Sequence, residues 1–479
     1  MKLSALSSVS PTVLLLLPWA AGVALMLSSG PYGLTEEGAK ALLLAWSIAD
    51  QVPSAVFTLG APDVRAFLFL PLGFIWPGQV IAAKLLTLIT MAVAGISLYS
   101  WRSRDDQAEA ALLATGLLLI APLTVASVDS LAAAPFLLVV AGAAAWVNRM
   151  LIGERGTLGG WFFAQFLLCA AAVSLHPAGL AYAAAQVLYW LAEPTHRRER
   201  QLALMGIPTV AALVLIIRLG WTGMTWVQNP LAAAAAIFGG SRPEDTWSGA
   251  TWLAAIVLIG LTVATAIHER KRLLADSTGT TLLLGVLFGA VAADKTWGLL
   301  TVALLLYGGM PWLLRACAPL AGRGLMLQRG WLWLLVVLIS TVFMRANKSD
   351  FELARRNLLS ADDELISAFA RGMDGQQSGA TASVEVGPAQ HPILAASPWP
   401  ARTSIACKCA ALALPPAAGD PASQLAMMRG VSYVILSDAL SNRALANNFS
   451  QLSSQVEVVE KQAGGVILHV KPSAVPPTT

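Results

Sequence analysis

Charge is what this sequence has least of: Asp, Glu, Lys and Arg make up 12% of its 479 residues, against 56% apolar residues. A soluble domain carries about a quarter charged residues, so this composition, with a mean hydropathy of +0.66, excludes one and describes a membrane protein. Cysteine is scarce as well, and four in the whole chain exclude a disulfide scaffold. Cys169 and Cys317 lie in or beside apolar segments, and only Cys407 and Cys409 are close together. One residue apart, that pair reads equally as a bridge in an oxidising compartment, as part of a metal site with unseen partners, or as two free thiols. The net charge of +4 does not point to nucleic acid, because the cations fall in short clusters between apolar stretches, where orientation in a bilayer accounts for them. No inverted internal repeat is present, and no good small-residue cleavage site follows Ser28.

What is there is a succession of apolar runs. About eleven are long enough to be spans of a hydrocarbon layer roughly 30 Å thick: 12–28, 79–100, 109–127, 131–149, 159–175, 177–192, 202–220, 250–267, 279–293, 296–314 and 330–345. Lys2, Arg102 and Arg104, Arg149 and Arg155, Arg197, Arg198 and Arg200, Arg270, Lys271 and Arg272, and Arg315, Arg323 and Arg329 occupy every second connection. Cations near helix ends stay in the cytoplasm, so these connections are cytoplasmic. The N-terminus is then inside and everything after Arg345 outside, in a plasma membrane of the bacterial inner-membrane type.

The expected organisation is a transmembrane domain over 1–345, with a long first outer loop at 29–78, and an extracytoplasmic α/β domain over 346–479. In the latter, runs at Val384–Val386, Ile393–Ala396, Tyr433–Leu436, Val456–Val459 and Val466–Val470 read as strands, with Gly464 and Gly465 turning the last hairpin. Helical patterns at Asp362–Ala370 and Ala439–Leu452 alternate with them. About 130 residues suffice for a modest core. No catalytic spacing marks this domain, which reads as a lid or docking module.

Ionisable groups at membrane depth are costly and mark pathways or sites. The first outer loop opens a helix with Thr35, Glu36, Glu37 and Gly38. Thr35 is placed as N-cap, and two acids in a first turn complement the helix dipole. Ala39, Leu42, Leu43, Trp46 and Ala49 form the stripe of a helix lying in the interface. Asp63 and Arg65 follow in the same loop. Three short outer connections hold Asp129, His176, and the neighbours Asp294 and Lys295. Taken singly these read as a cap, an incidental His before Pro and a local ion pair; together they set acids, an imidazole and cations around one face of one bundle.

The order of span, acid pair opening a helix, second amphipathic stretch and second span resembles the GT-C superfamily of membrane glycosyltransferases, in the branch of protein mannosyltransferases and aminoarabinose transferases. Glu36, Glu37 and Gly38 stand where those proteins typically carry Asp-Glu and a small residue. Ser127 to Phe136, with Asp129, is similar to the family's second outer loop, and His176, Pro177 and Ala178 stand where many members have Lys-Gly-Pro. The resemblance is clear as far as about residue 200.

It implies transfer of a sugar from a polyprenyl-phosphate donor to an extracytoplasmic glycan, lipid or protein acceptor. Elementary chemistry agrees, since nucleotide sugars are absent outside and a donor has to arrive through the membrane. Inverting transfer needs a base for the acceptor hydroxyl and a positive group at the departing phosphate. Glu36 is assigned as base and Glu37 as its support. Arg65, His176, Arg218 and Lys295 are the candidates for the phosphate, and Asp129 orients a substrate. A divalent ion, held by Glu37 and Asp129, is the one cofactor this reading admits. Two other readings stay open: a transporter or flippase whose Asp129, Arg218, Asp294 and Lys295 line a path, and a non-catalytic scaffold of the same fold that binds a lipid or a partner.

Overall fold

The computed structural model describes residues 11–27, 33–49, 63–76, 78–103, 108–153, 158–222, 249–274, 276–290, 295–310, 337, 339–345, 347–348, 361–380, 394–428, 430–438, 442–452, 454–462 and 464–471. The chain divides into two compact units. The first holds 1–27, 61–65 and 82–351; the second holds 28–60, 66–81 and 352–479.

The first unit is a helical bundle. Its helices are α1 (Pro11–Met26), α4 (Val80–Arg102, of which the first two residues group with the second unit), α5 (Ala108–Ile120), α6 (Pro122–Asp129), α7 (Ala134–Gly153), α8 (Leu158–Leu175), α9 (Leu180–Ala192), α10 (Arg197–Thr222), α11 (Gly249–Leu274), α12 (Ser277–Gly289) and α13 (Lys295–Leu304). Among the described residues, α4, α7 and residues 197–217 of α10 are long and apolar enough to cross a membrane. The pair α5–α6 passes the same test as one broken span, bent by 52°. The fold is that of a polytopic α-helical membrane protein. On α4, Leu85, Ile89, Val93 and Ile96 are exposed at helical spacing, the stripe of a lipid-facing side, while Lys84, Met91, Ala94 and Leu98 are fully buried.

Ten of the runs read from sequence coincide with these helices, and half of the run at 330–345 lies outside the described residues. The run at 109–127 is interrupted at Ala121, whose φ of −59° and ψ of 135° are those of a residue before proline. Pro122 then starts α6 at the position where its missing N–H costs nothing. His176, before Pro177, is extended in the same way, and a short 3-10 turn at Pro177–Gly179 joins α8 to α9. After α13, Leu305–Gly309 forms a π turn in which the Tyr307 hydroxyl meets Thr115 Oγ1 at 2.6 Å.

Helices pack closely through small residues, as they must where water supplies no driving force. A Cβ on Gly142 would come within 2.6 Å of Ser97 Cβ, and one on Gly206 within 2.3 Å of the Phe166 ring.

In the second unit, α2 (Glu36–Ile48) and α3 (Val64–Ile75, which enters it at Ala66) accompany an α/β sandwich. The sandwich adds α14 (Ala361–Ala380), β1 (Leu394–Ser397), α15 (Pro400–Cys407), β2 (Ala410–Ala413), α16 (Pro421–Met427), β3 (Tyr433–Ser437), α17 (Arg443–Ser450), β4 (Val456–Gln462) and β5 (Gly465–Val470). The sheet runs β2-β1-β3-β5-β4, with β1 parallel to β2 and β3, and β5 antiparallel to β3 and β4. Alternation along β3 feeds two cores. Val434 and Leu436 join Leu425, Leu445, Phe449 and Leu468 on one face; Tyr433 and Ile435 join Leu365, Phe369, Met373 and Cys407 on the other. The expected strands at Ile393–Ala396, Tyr433–Leu436, Val456–Val459 and Val466–Val470 are present within a residue or two or as parts of longer strands, with β2, α15 and α16 in addition. The segment Val384–Val386 lies outside the described residues.

The turn that carries His176 allows no side chain at Gly179, where a Cβ would stand 1.8 Å from the Ala172 carbonyl oxygen. Gly179→Ala is expected to destabilise the bundle by about 3 kcal/mol, read as a lowered thermal midpoint of the detergent-solubilised protein.

Candidate functional site

In the first unit, charge gathers where α6 turns into α7. Helix α6 ends at Asp129, Leu131 follows in the left-handed region at φ +54°, and the Ala132 N–H returns to Ser127 O at 2.9 Å. This tight reversal leaves the Leu131 carbonyl to accept from Arg65 Nη1 at 2.6 Å. The same guanidinium donates through Nε and Nη2 to Asp63, whose Oδ1 also accepts the Arg65 backbone N–H at 2.8 Å. Asp63 thus holds Arg65 at both its backbone and its side chain. Two residues before Leu131, Asp129 Oδ1 accepts from Lys84 Nζ at 2.8 Å. Lys84 is 0% and Arg65 1% exposed, so both cations have left water and are compensated by paired carboxylates.

Lys84 was not legible as a site residue. It lies inside an apolar run long enough to be a span, and its only signal is that a cation there must face protein. Arg65 and Asp129, both picked from sequence, are brought to one turn. His176 stands on another, where its Nδ1 accepts the Ala178 N–H at 3.1 Å. It is 4% exposed. Asp294 and the side chains of Arg218 and Lys295 lie outside the described residues.

Glu36 and Glu37 belong to the second unit. Thr35 caps α2 as expected, its hydroxyl accepting from Gly38 N at 3.1 Å. Glu37 is exposed. Glu36 has an additional engagement far along the chain: its Oε1 accepts the Ala401 N–H at 3.0 Å and its Oε2 the Arg402 N–H at 3.2 Å. The carboxylate therefore sits on the first turn of α15, where unsatisfied N–H groups and the helix dipole favour an anion. Pro400 sets the start of that turn. Around it, Asp363 Oδ1 accepts from Gly33 N at 3.0 Å and from Arg402 Nη2 at 2.6 Å, and Asp362 lies 3.7 Å from Arg402 Nη1. Burial raises the Glu36 carboxyl above its ordinary pKa, against the opposing pull of the Ala401 N–H, Lys40 and the Arg402 N–H. Asp362 is raised by burial too, with the Arg402 charge opposing.

Among the described residues no three His, Cys, Asp or Glu side chains gather in a metal-binding group, and the Asp129 carboxylate is paired with Lys84. The alternatives for Cys407 and Cys409 resolve in favour of a disulfide.

No family model and no curated protein matches the sequence. Among solved structures, ArnT from Cupriavidus metallidurans in the apo state superposes with a TM-score of 0.52, covering 97% of this chain and 99% of that one at 13% identity. The same protein bound to undecaprenyl phosphate gives 0.49 at the same identity and coverage. The chain has the fold of ArnT, in line with the GT-C resemblance read from its sequence.

Proposed function

We propose that this protein transfers a sugar from a polyprenyl-phosphate donor to an acceptor on the extracytoplasmic face of a bacterial-type inner membrane. The observation that carries the reading is the pair of buried cations, Lys84 and Arg65, at the α6–α7 turn of a chain with this fold. A fully buried ammonium held by a carboxylate is a site that a phosphate can enter by exchange. The phosphate takes the place of Asp129 at Lys84, and its charge is answered without new desolvation of the cation. Arg65, fixed by Asp63 and Leu131, offers a second positive group to the bond that breaks. Asp129 acts as the resident counter-ion and, once displaced, as an orienting acceptor for substrate hydroxyls. His176, Arg218 and Lys295 stand as further candidates for the phosphate.

In this reading Glu36 is the general base and Glu37 its exposed neighbour in support. Two features suit Glu36 to the task. Its raised pKa makes the carboxylate a stronger base than a solvated one, and the two N–H groups of α15 fix its plane while leaving a lone pair on each oxygen. The sugar carbon gains the acceptor oxygen as it loses the phosphate oxygen, the acceptor proton passes to Glu36, and polyprenyl phosphate leaves with its charge stabilised by cations. The disulfide at Cys407–Cys409 supports an oxidising compartment for the second unit, in line with the alternating Lys and Arg clusters.

The direct test is incubation of the purified protein with polyprenyl-phosphate sugars and extracted envelope acceptors, with polyprenyl phosphate release followed by mass spectrometry. No release with any donor, alongside substrate flux in proteoliposomes, would replace this reading with a transporter.

Lys84→Met and Asp129→Leu are each expected to cost about 3–5 kcal/mol of stability, because each strands a buried charge. The double variant recovers most of that loss in thermal unfolding yet stays inactive in the release assay. Recovery of transfer together with stability would make the pair structural only.

Glu36→Gln is expected to lower transfer by about a hundredfold to ten-thousandfold. It also costs about 1–2 kcal/mol, since an amide offers one acceptor where α15 presents two donors. The wild-type rate should rise with pH as Glu36 loses its proton, with a midpoint above the ordinary 4.5. The stability linkage has the opposite slope: a carboxyl whose pKa is raised by folding binds its proton more readily in the folded state. Its contribution is therefore fully present below 4.5 and is lost as pH rises through the folded value. Profiles of rate and melting temperature against pH, with and without Glu36→Gln, check both signs.

A further inference from the structure

Helix α15 carries different chemistry at its two ends. Its first turn gives the Ala401 and Arg402 N–H groups to Glu36, and its last residue, Cys407, is bonded to Cys409. Only Lys408 stands between the two sulfurs, at φ +52°, where a residue with a Cβ is rarely found. A ring closed over so few residues removes little chain entropy from the unfolded state, so this bridge is poorly placed to stabilise the fold as a whole. What it holds is local: the reversal from α15 into β2, where Ser404 Oγ also donates to the Cys409 carbonyl at 2.8 Å.

The two sulfurs are unequal. Cys407 is 3% exposed and belongs to the core formed with Leu365, Phe369, Tyr433 and Ile435. Cys409 is half-buried at the edge of that cluster, and Lys408 beside it is exposed. An incoming thiolate thus meets an accessible sulfur with a cation next to it, the setting in which thiol exchange is favoured.

We propose that Cys407–Cys409 is a thiol–disulfide exchange site for a dithiol reductant in the compartment of the second unit, and that its state sets how firmly α15 holds Glu36. A thiolate of the dithiol attacks Cys409 Sγ. The bond to Cys407 breaks, and Cys407 leaves with the electron pair and takes a proton. The second thiolate of the reductant then attacks its own sulfur in the mixed disulfide, and Cys409 leaves and is protonated. Two electrons pass to the cysteine pair and the dithiol departs as a disulfide; a disulfide oxidant reverses the sequence. With the ring open, nothing covalent holds Lys408 at positive φ. Helix α15 has only 8 residues, too few to be stable without its ends, so slack in its last turn reaches the first. The site concerns the seat of Glu36 and not the transfer chemistry, so its test stands apart from that of the proposed activity.

The experiment treats the detergent-solubilised full chain with dithiothreitol, labels thiols with a maleimide, and follows backbone hydrogen exchange by mass spectrometry. A new label is expected at the half-buried Cys409 under native conditions, with Cys407, which is 3% exposed, and Cys169, which is free and buried, labelled only on unfolding as internal controls. Exchange is expected to rise by about threefold or more in peptides covering 35–40 and 400–407. The Cys407→Ser, Cys409→Ser double variant should show that raised exchange without reductant and no further change with it. Labelling only after denaturation, or reduction that leaves 35–40 unchanged, overturns the proposal. If the double variant does not fold, reduction of the native chain decides alone.

Discussion

An ammonium with no exposure to water has to be answered within bonding distance, and the Lys84–Asp129 pair meets that demand inside the bundle. Much of the surrounding geometry follows from it. Helix α4 must turn one side to protein at Lys84 while its neighbour Leu85 faces outward, and α6 must stop where Asp129 reaches that side. The left-handed Leu131 is then required to reverse the chain within a few residues, which frees the carbonyl that Arg65 binds. A polar cluster at this depth is stable only when every member has a partner. That property also makes it selective, since a ligand has to replace one of those partners in charge and not merely fill space.

The broad architecture was legible because bilayer crossing imposes a length and an apolar composition that a linear sequence displays directly. Most of the runs became helices, and Thr35 became the cap that its position indicated. The bend at Ala121 escaped although Pro122 announces it, because mean apolarity across the run is undisturbed by one proline. In the second unit β2, α15 and α16 escaped for another reason. Each is short and begins beside proline or cysteine, so periodicity has too few residues to show.

The site residues were legible only in part, and the division is physical. Asp129 and Arg65 stood out as charges in short connections, whereas Lys84 was concealed by apolar neighbours that face the other way. The partners of Glu36 could not be read at all. They are backbone N–H groups at Ala401 and Arg402, several hundred residues later, and every residue type but proline carries such a donor. An acid pair at a helix start therefore displays the dipole it belongs to and conceals the second helix that it caps.

The π turn at Leu305–Gly309 has a consequence for how this fold tolerates length changes. A π turn amounts to one residue absorbed by a helix without breaking it. Deleting one residue here would restore a regular ladder, but the side chains within the turn would have to redistribute around the axis to do so. Tyr307 would then leave Thr115, two buried hydroxyls would lose each other, and Gly308, packed against Thr265, would be turned away from that contact. Regular backbone and a satisfied interior are alternatives at this point in the chain, and the protein has kept the second.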